Sequence, residues 1–189
     1  MKYSVLKNNN YQLGRYSAVP LREMDIFLIK KWRNEQIQVL RQNKILTDQD
    51  QLSYYKNHII PSFSQKRPNI ILFSYLYDNN CIGYGGLTNI KWQSKRAELS
   101  FLLDTKRCLY SKQYKIDFTN FISLIKKVTF NDLKFNRIFT ETFAFRQAHI
   151  AILEENGFRL EGKMKQHVVI NGEFVDSILH GLLKEYQNA

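Results

Sequence analysis

The segment RAELSFLL at residues 96–103 begins the stretch that decides the fold of this chain. It is typical of a strand, and the polar, cation-rich segment DTKRCLYSK at residues 104–112 is typical of a turn. An amphipathic helix ending near Leu133 follows, then a second strand, RIFTETF, at residues 137–143, and a helix that closes the stretch at Phe158. A turn that leads into a helix can bind an anion, because the first helical turn leaves backbone N–H groups unpaired and carries the positive end of the helix dipole.

The sequence before this stretch begins with residues 1–14, which are polar and predict a loose lead-in. The predicted elements that follow are a strand at Tyr16–Leu21, a helix at Arg22–Asn34, a helix that Thr47 or Asp48 caps and Pro61 ends, and strands at Ile70–Tyr77 and Cys81–Trp92. Turns at residues 78–80 and 93–95 are short, so the strands on either side of them are expected to run antiparallel. Glycines at 83, 85 and 86 indicate a bulge or a close approach of the backbone to a ligand.

The sequence after the stretch predicts strands at Arg159–Ile170 and Phe174–Leu183, joined by a turn at Asn171-Gly172. The strand–helix–strand order after Leu103 predicts parallel neighbours and a right-handed crossover. Together the elements predict a mixed α/β (α+β) fold, with a sheet of about seven strands and helices on both faces.

Composition limits the class of protein. With 189 residues, 44% of them hydrophobic, the chain is expected to form one globular domain. No apolar run approaches the ~20 residues of a membrane-spanning helix, and the polar N-terminus predicts no signal peptide. The two cysteines, Cys81 and Cys108, are too few for a disulfide framework or a zinc site, which favours the cytoplasm. The net charge of +11 is dispersed, which favours a small ligand with several phosphates over nucleic acid.

The order of these elements, with the segment EENGF at residues 154–158, Glu161-Gly162 and Asp176, resembles the GNAT superfamily of N-acetyltransferases over residues 15–186. Within it, the chain is most similar to the branch that includes ribosomal-protein N-terminal acetyltransferases and amino-sugar-nucleotide acetyltransferases. That branch shares an early Trp-Arg-Asn, here at residues 32–34, and an acidic residue on the fourth strand of the family fold.

The resemblance implies the acyl-CoA N-acyltransferase fold, a strongly twisted sheet in which the strands at 96–103 and 137–143 part and acetyl-CoA fills the gap. It implies a single N-acetyltransferase domain at residues 15–186 after the lead-in at 1–14. The expected partner is an amine acceptor, either a small molecule or a peptide, with no metal and no membrane. A homodimer is left open.

The family turn after the strand at 96–103 normally carries glycines that let backbone amides close on the coenzyme pyrophosphate. This chain has no glycine there, although Arg107 matches the Gln/Arg position of the turn and Ser111 or Lys112 could add a hydroxyl or a charge. The missing glycines leave open a fold that binds the coenzyme or another nucleotide without transferring an acetyl group. The residues expected to contact the coenzyme are Phe101, Leu102, Leu103, Arg107, Cys108, Leu109, Ser111, Lys112, Arg146 and His149.

Two carboxylates are the expected catalytic residues. Glu98 lies in the middle of an apolar strand, where partial burial would raise its pKa towards working pH and make it the general base for the amine. The structural alternative is a salt bridge to Arg96 on the same face of the strand. Glu141, on the neighbouring strand, is the second choice, with pairing to Arg137 or Arg146 as its alternative.

The remaining catalytic groups follow from the resemblance. It implies that a backbone N–H near Phe101 or Leu102 stabilises the oxyanion. Many relatives protonate the thiolate with a Tyr in the last helix, but Leu153 stands at that position, so this acid is absent. Arg146 falls where relatives carry an Asn that touches the pantetheine arm, and His149 lies one turn later on the same helix face. Their alternatives are a surface residue and a packed histidine.

The acceptor is expected on the other side of the gap, near the first two helices. Arg33, Arg41, Tyr84 and His180 are the candidates for holding it, against the alternatives of surface charges and a hydrogen-bonded core histidine. Trp32 is a further candidate, for which core packing is favoured. The two arginines suit a diphosphate, so a nucleotide-linked amino sugar is slightly favoured as acceptor over a protein N-terminus.

Overall fold

The structure, a computed structural model that describes residues 1–185, contains eight strands in that range. They are β1 (Tyr11–Leu13), β2 (Tyr16–Pro20), β3 (Ile71–Tyr77), β4 (Asn80–Lys91), β5 (Arg96–Leu103), β6 (Arg137–Phe143), β7 (Arg159–Ile170) and β8 (Glu173–Leu183). They form one sheet in the order β1-β2-β3-β4-β5-β6-β8-β7, in which β5 and β6 run parallel and the other pairs antiparallel. The mixed sheet is confirmed. Tyr186, the predicted last residue of the domain, lies outside the described residues.

Helices cover both faces of the sheet. They are α1 (Ile26–Glu35), α2 (Asp48–Tyr54), α3 (Ile60–Ser64), α4 (Thr105–Cys108), α5 (Ser111–Lys126) and α6 (Gln147–Glu155). Tyr84 and Gly85 are neighbours in β4 and therefore point to opposite faces. Tyr84 Oη accepts a hydrogen bond of 2.5 Å from Arg33 on α1, whereas a Cβ on Gly85 would lie only 2.8 Å from the ring of Phe121 on α5. Gly85 thus permits close packing of α5 on the sheet, and the register between β3 and β4 shifts beside Gly83, which confirms the predicted bulge.

Residues 1–14 are packed against the sheet, which corrects the expectation of a loose lead-in. Tyr3 is 1% exposed, and its hydroxyl donates to the Leu72 carbonyl at 2.9 Å and accepts from the Leu72 N–H at 2.8 Å. Leu6 and Tyr11 are also buried in the core. The segment is polar by composition, but the side chains of Tyr3, Leu6 and Tyr11 point inwards.

The helix predicted after Thr47 begins as expected and ends later than expected. Thr47 Oγ1 accepts from the N–H of Asp50, and the Asp50 carboxylate accepts from the N–H of Thr47, which is a complete capping box. A π-helical turn at Tyr55–Ile59 joins α2 to α3, so Pro61 lies in the first turn of α3 and the helical path ends at Ser64. The π-helical turn accommodates the ring and the missing N–H of the proline, which is why Pro61 does not stop the helix.

The strands β5 and β6 part after a short paired segment. Their register joins Arg96, Ala97 and Glu98 to residues 137–139, and no pairing continues towards Leu103 within the described sheet. By contrast, β6 pairs with β8 along its whole length. The predicted gap between the two strands is therefore confirmed, and Glu98 lies at the point where it opens. No helix among the described residues is long and apolar enough to cross a bilayer.

Candidate active site

The gap between β5 and β6 forms a cleft that the α1–α2 connection closes on one side and α5 and α6 close on the other. The residues that line it are Val39, Leu40, Arg41, Glu98, Leu99, Ser100, Phe101, Phe118, Thr140, Glu141, Thr142, Phe143, Arg146 and His149. Both expected catalytic carboxylates lie in this set, as do Arg41, Phe101, Arg146 and His149. No group of three or more potential metal ligands occurs among the described residues.

Glu98 is 2% exposed at the closed end of the cleft. Its carboxylate forms a salt bridge with the guanidinium of Arg41 and accepts a hydrogen bond of 2.5 Å from the side-chain amide of Asn89. The expected partner, Arg96, instead lies over the ring of Phe139, with its guanidinium carbon 5.4 Å from the ring centre. Glu98 is therefore paired, but with a residue from the opposite wall of the cleft.

Glu141 shares the same cation. Its Oε2 lies 3.3 Å from the Arg41 guanidinium, and its Oε1 accepts from Ser177 Oγ at 3.1 Å and lies 3.6 Å from Nε2 of His167. The expected partners of Glu141 have other contacts: Arg137 forms a bidentate pair with Glu161, and Arg146 contacts Tyr114 and His149. The contacts of Glu141 are therefore Arg41, Ser177 and His167, and not the predicted Arg137 or Arg146.

Arg41 links the two carboxylates from the α1–α2 connection. Its side chain is 50% exposed, whereas the side chain of Glu98 is 3% exposed. Two carboxylates that face one cleft repel each other unless a cation lies between them. The guanidinium of Arg41 is the cation that lies against both carboxylates in this structure. The expectation that Arg41 binds a diphosphate conflicts with this pairing.

A groove continues from the cleft to the start of α5. Its lining includes Cys108, Leu109 and Ser111, and it shares Val39, Arg146 and His149 with the cleft. No side chain caps the N-terminus of α5, so the first backbone N–H groups of this helix remain available to an anion. Lys112 is exposed in the same first turn. Burial raises the pKa of the Cys108 thiol to about 11, so it is a neutral wall of the groove.

Arg107 does not reach this groove with its side chain. Its guanidinium donates to both oxygens of Asp117, at 2.7 and 2.9 Å, and Asp117 is completely buried. Tyr16 and Gln113 also donate to Asp117, at 2.9 and 2.8 Å. The side chain of Arg107 therefore neutralises a buried carboxylate, which corrects its assignment to the coenzyme phosphates.

Of the apolar residues expected to contact the coenzyme, Phe101 lines the cleft and stacks on Phe118, with ring centres 4.5 Å apart. The side chains of Leu102 and Leu103 are buried in the core. Only their backbone groups can face a ligand.

The expected acceptor residues divide between two places. Arg33 and Tyr84 line a second cavity between α1, α2 and β4, and this cavity shares no lining residue with the cleft. His180 is completely buried on β8, with its Nε2 3.2 Å from Glu154 Oε1 on α6, so the expectation that it faces the acceptor is corrected. Trp32 is a core residue, 2% exposed.

Tyr114, on α5, is the site residue that the sequence did not reveal. Its hydroxyl lies 2.7 Å from His149 Nδ1 and 3.3 Å from the Arg146 guanidinium. An aromatic residue one turn into an amphipathic helix looks like a core position, and only the packing of α5 against α6 brings Tyr114 to the groove.

Comparisons with known proteins agree with this geometry. The family model described as an acetyltransferase (GNAT) domain matches residues 19–179. Mutant forms of the spermidine/spermine N-acetyltransferase SpeG from Vibrio cholerae share 20% identity with the chain, at a TM-score of 0.77 over 93% of this chain and 98% of theirs. A dodecameric structure of spermidine N-acetyltransferase from Vibrio cholerae gives 19% identity and a TM-score of 0.76 over 93% of this chain and 97% of that one.

No curated protein matches the chain in sequence. The family match covers most of the chain, and the structural likeness supports the same fold. The chain belongs to the GNAT acetyltransferase family and is an N-acetyltransferase that uses acetyl-CoA as its acetyl donor.

Proposed function

We propose that the chain acetylates a primary amine of a cationic small molecule, such as a diamine or a polyamine. The observation that carries this proposal is the pair Glu98 and Glu141, two carboxylates of the cleft that share one guanidinium group. An acceptor with more than one ammonium group can replace that guanidinium and keep the carboxylates neutralised. The spermidine N-acetyltransferases named above, which have the same fold, give the acceptor class further support.

In the proposed reaction, Glu98 is the general base and Glu141 holds a second charge of the acceptor. The amine loses a proton to Glu98, and its nitrogen forms a bond with the thioester carbonyl carbon while the carbon–sulfur bond breaks. Arg41 must leave Glu98 before the amine can reach it. Backbone N–H groups of the free edge of β5, near Phe101 and Leu102, are the proposed donors to the oxyanion.

The start of α5 is the proposed site for the coenzyme phosphates. The uncapped N–H groups at Ser111 and the following residues suit a phosphate, and Lys112 adds a positive charge in the same turn. This arrangement binds through helix geometry, so it does not need the glycines of the family turn.

The branch resemblance to amino-sugar-nucleotide and ribosomal-protein enzymes has no support among the relatives named above. The amino-sugar expectation depended on Arg33 and Arg41 being free to hold a diphosphate. Arg41 is paired with two carboxylates, and Arg33 donates to Gln42 and Tyr84.

The test is release of free coenzyme A thiol in the presence of acetyl-CoA and one of four acceptors: spermidine, a short diamine, an amino-sugar nucleotide or a peptide with a free N-terminus. We expect the two cationic amines to have values of kcat/KM at least about tenfold above the others, which corresponds to about 1.4 kcal/mol of selective binding. N,N′-diacetylated diamine, which has no free amine, is the matched control. Preference for the nucleotide or the peptide would overturn the proposal, as would a chain that binds acetyl-CoA and acetylates none of the four.

A further inference from the structure

Three side chains form a closed triangle of polar contacts at the edge of the cleft, and the proposed reaction leaves their chemistry unexplained. Tyr114 Oη lies 2.7 Å from His149 Nδ1, and one guanidinium nitrogen of Arg146 lies 3.3 Å from each of these two atoms. Tyr114 belongs to α5, whereas Arg146 and His149 lie at the beginning of α6. The triangle therefore joins the two helices that flank the groove.

The triangle determines which nitrogen of His149 carries the proton. A guanidinium group only donates hydrogen bonds, so Nδ1 of His149 is an acceptor and carries no hydrogen. The Tyr114 hydroxyl can then donate to Nδ1 while it accepts from Arg146. Burial, with smaller effects of Arg146 and His180, lowers the pKa of His149 well below its usual value, so the ring is neutral. Its one hydrogen is therefore on Nε2.

The same contacts fix the direction of the ring. It stacks on Phe118, with ring centres 4.3 Å apart and an angle of 16° between the planes. His149 lines both the cleft and the groove. Its Nε2 has no hydrogen-bond partner among the described residues. The described residues do have buried polar atoms without a partner, but Nε2 of His149 is not among them, so it is not completely buried. The Nε2–H group is thus an unused donor at open space.

We propose that the Nε2–H of His149 donates a hydrogen bond to the thioester sulfur, and that Arg146 and Tyr114 are positioning residues that maintain its tautomer. The inference rests on the acetyl transfer described above. A coenzyme that extends from the start of α5 to Glu98 must pass the junction of groove and cleft, where His149 lies. Negative charge develops on the sulfur as the carbon–sulfur bond breaks, so a fixed donor there stabilises the transition state more than the bound substrate.

His149 donates this hydrogen bond and keeps its proton. Burial raises the pKa of Tyr114 to about 12, whereas a thiol has a pKa of about 8.5. Transfer of the tyrosine proton through His149 to the sulfur would therefore be unfavourable by roughly 3.5 orders of magnitude. The thiolate leaves with its negative charge stabilised by the hydrogen bond and then takes a proton from water. Leu153, where relatives carry a tyrosine acid, is buried and does not line the cleft.

The test compares the binding of coenzyme A with that of desulfo-coenzyme A, which lacks the sulfur, at a pH of about 9.5, where the thiol is ionised. We expect the wild-type chain to bind coenzyme A at least about tenfold more tightly than desulfo-coenzyme A, because hydrogen bonds to charged groups are strong. His149→Phe keeps the stacking on Phe118 and should bring the two affinities within about twofold. An unchanged preference in the variant would overturn the proposal, as would equal affinities in the wild-type chain.

Kinetics separate this role from simple binding of the pantetheine arm. His149→Phe should lower kcat by about a hundredfold and leave the KM for acetyl-CoA within about threefold. A raised KM with unchanged kcat would mean a contact to the arm alone, which contradicts the proposal. Tyr114→Phe is expected to reduce kcat less than tenfold, because Arg146 still holds the tautomer. It provides a milder variant if His149→Phe does not fold, and equal loss in both variants would contradict the assigned roles.

A matched control is His58→Phe, which changes an exposed histidine of the π-helical turn and should leave every value unchanged. The binding comparison needs no acceptor. If the affinities for coenzyme A and desulfo-coenzyme A differ as expected but none of the amines is acetylated, the proposed acceptor class is wrong and the role of His149 stands.

Discussion

The carboxylates of Glu98 and Glu141 lie on separate strands and share the guanidinium group of Arg41. Neither carboxylate could face the cleft at low cost without a cation, because like charges at short range oppose ionisation. Arg41 comes from a connection and is half exposed, so it can move away without unfolding the domain. Arg41 therefore competes with the proposed cationic acceptor for the same two carboxylates.

Removal of this competitor should tighten acceptor binding. We expect Arg41→Ala to lower the KM for spermidine by about threefold to tenfold, since an ammonium group no longer has to displace the guanidinium. The free energy of unfolding should fall by about 1–3 kcal/mol, because the variant leaves the buried carboxylate of Glu98 without its cation. Steady-state thiol release and urea denaturation measure the two effects. Arg41→Lys keeps the charge and should keep a KM near that of the wild type; a higher KM in Arg41→Ala alone would show that Arg41 assists binding.

The two carboxylates should respond differently to neutralisation. Glu98→Gln keeps the shape of the side chain but cannot accept the proton of the amine, so kcat should fall by about 10²- to 10⁴-fold. Glu141→Gln removes a charge that holds the acceptor, so the KM for the amine should rise by about tenfold with a smaller change in kcat. Both variants should bind acetyl-CoA normally. Near wild-type kcat in Glu98→Gln would exclude Glu98 as the base.

The sequence predicted the strands well because their patterns are local. The bounds of β5 and β6 match the prediction, and the separation of these strands follows from the topology that the resemblance implied. Glu98 and Glu141 were recognisable because an acidic residue stands out within an apolar strand. Their positions in the cleft follow directly from the two strands that carry them.

The partners of these residues could not be predicted, because they depend on packing between distant segments. Arg41 is separated from Glu98 by 57 positions and reaches it only through the connection after α1. The neighbouring Arg96, which the strand period favoured, packs on an aromatic ring instead. Arg107 likewise matched a family position, but the buried carboxylate of Asp117 on α5 takes its side chain. The spacing of residues along a strand predicts the face of the sheet on which a side chain lies, but tertiary packing determines which residue it contacts.

The guanidinium of Arg107 pairs with the buried carboxylate of Asp117. Arg107→Met should lower the free energy of unfolding by about 3–5 kcal/mol, because it leaves the completely buried Asp117 without its cation. For a domain of this size, that corresponds to a decrease in Tm of about 6–20 °C. The Kd for coenzyme A should stay within about threefold of the wild type at a temperature where the variant is folded. Calorimetric melting and titration measure both quantities.

A double variant provides the control for this prediction. Arg107→Met with Asp117→Asn removes both charges, so we expect it to recover part of the lost stability. If Arg107→Met instead weakened coenzyme binding by tenfold without lowering Tm, the arginine would belong to the phosphate site as the family position implied.

The neutral state of His149 should make the stability of the domain depend on pH. Its pKa in the folded chain is well below the ordinary value of 6.5, so below about pH 6.5 the unfolded chain binds a proton that the folded chain does not. The stabilisation present above pH 6.5 is therefore lost as the pH falls towards the folded-state pKa. We expect the wild-type chain to lose about 1–2 kcal/mol more between pH 7 and pH 5 than His149→Phe does. Urea denaturation of both proteins at the two pH values measures this difference. The carboxylates with lowered pKa, such as Glu161 and Asp176, are present in both proteins, so their contributions to the pH dependence cancel. Equal losses of stability in the two proteins would mean that His149 takes up a proton while the domain stays folded.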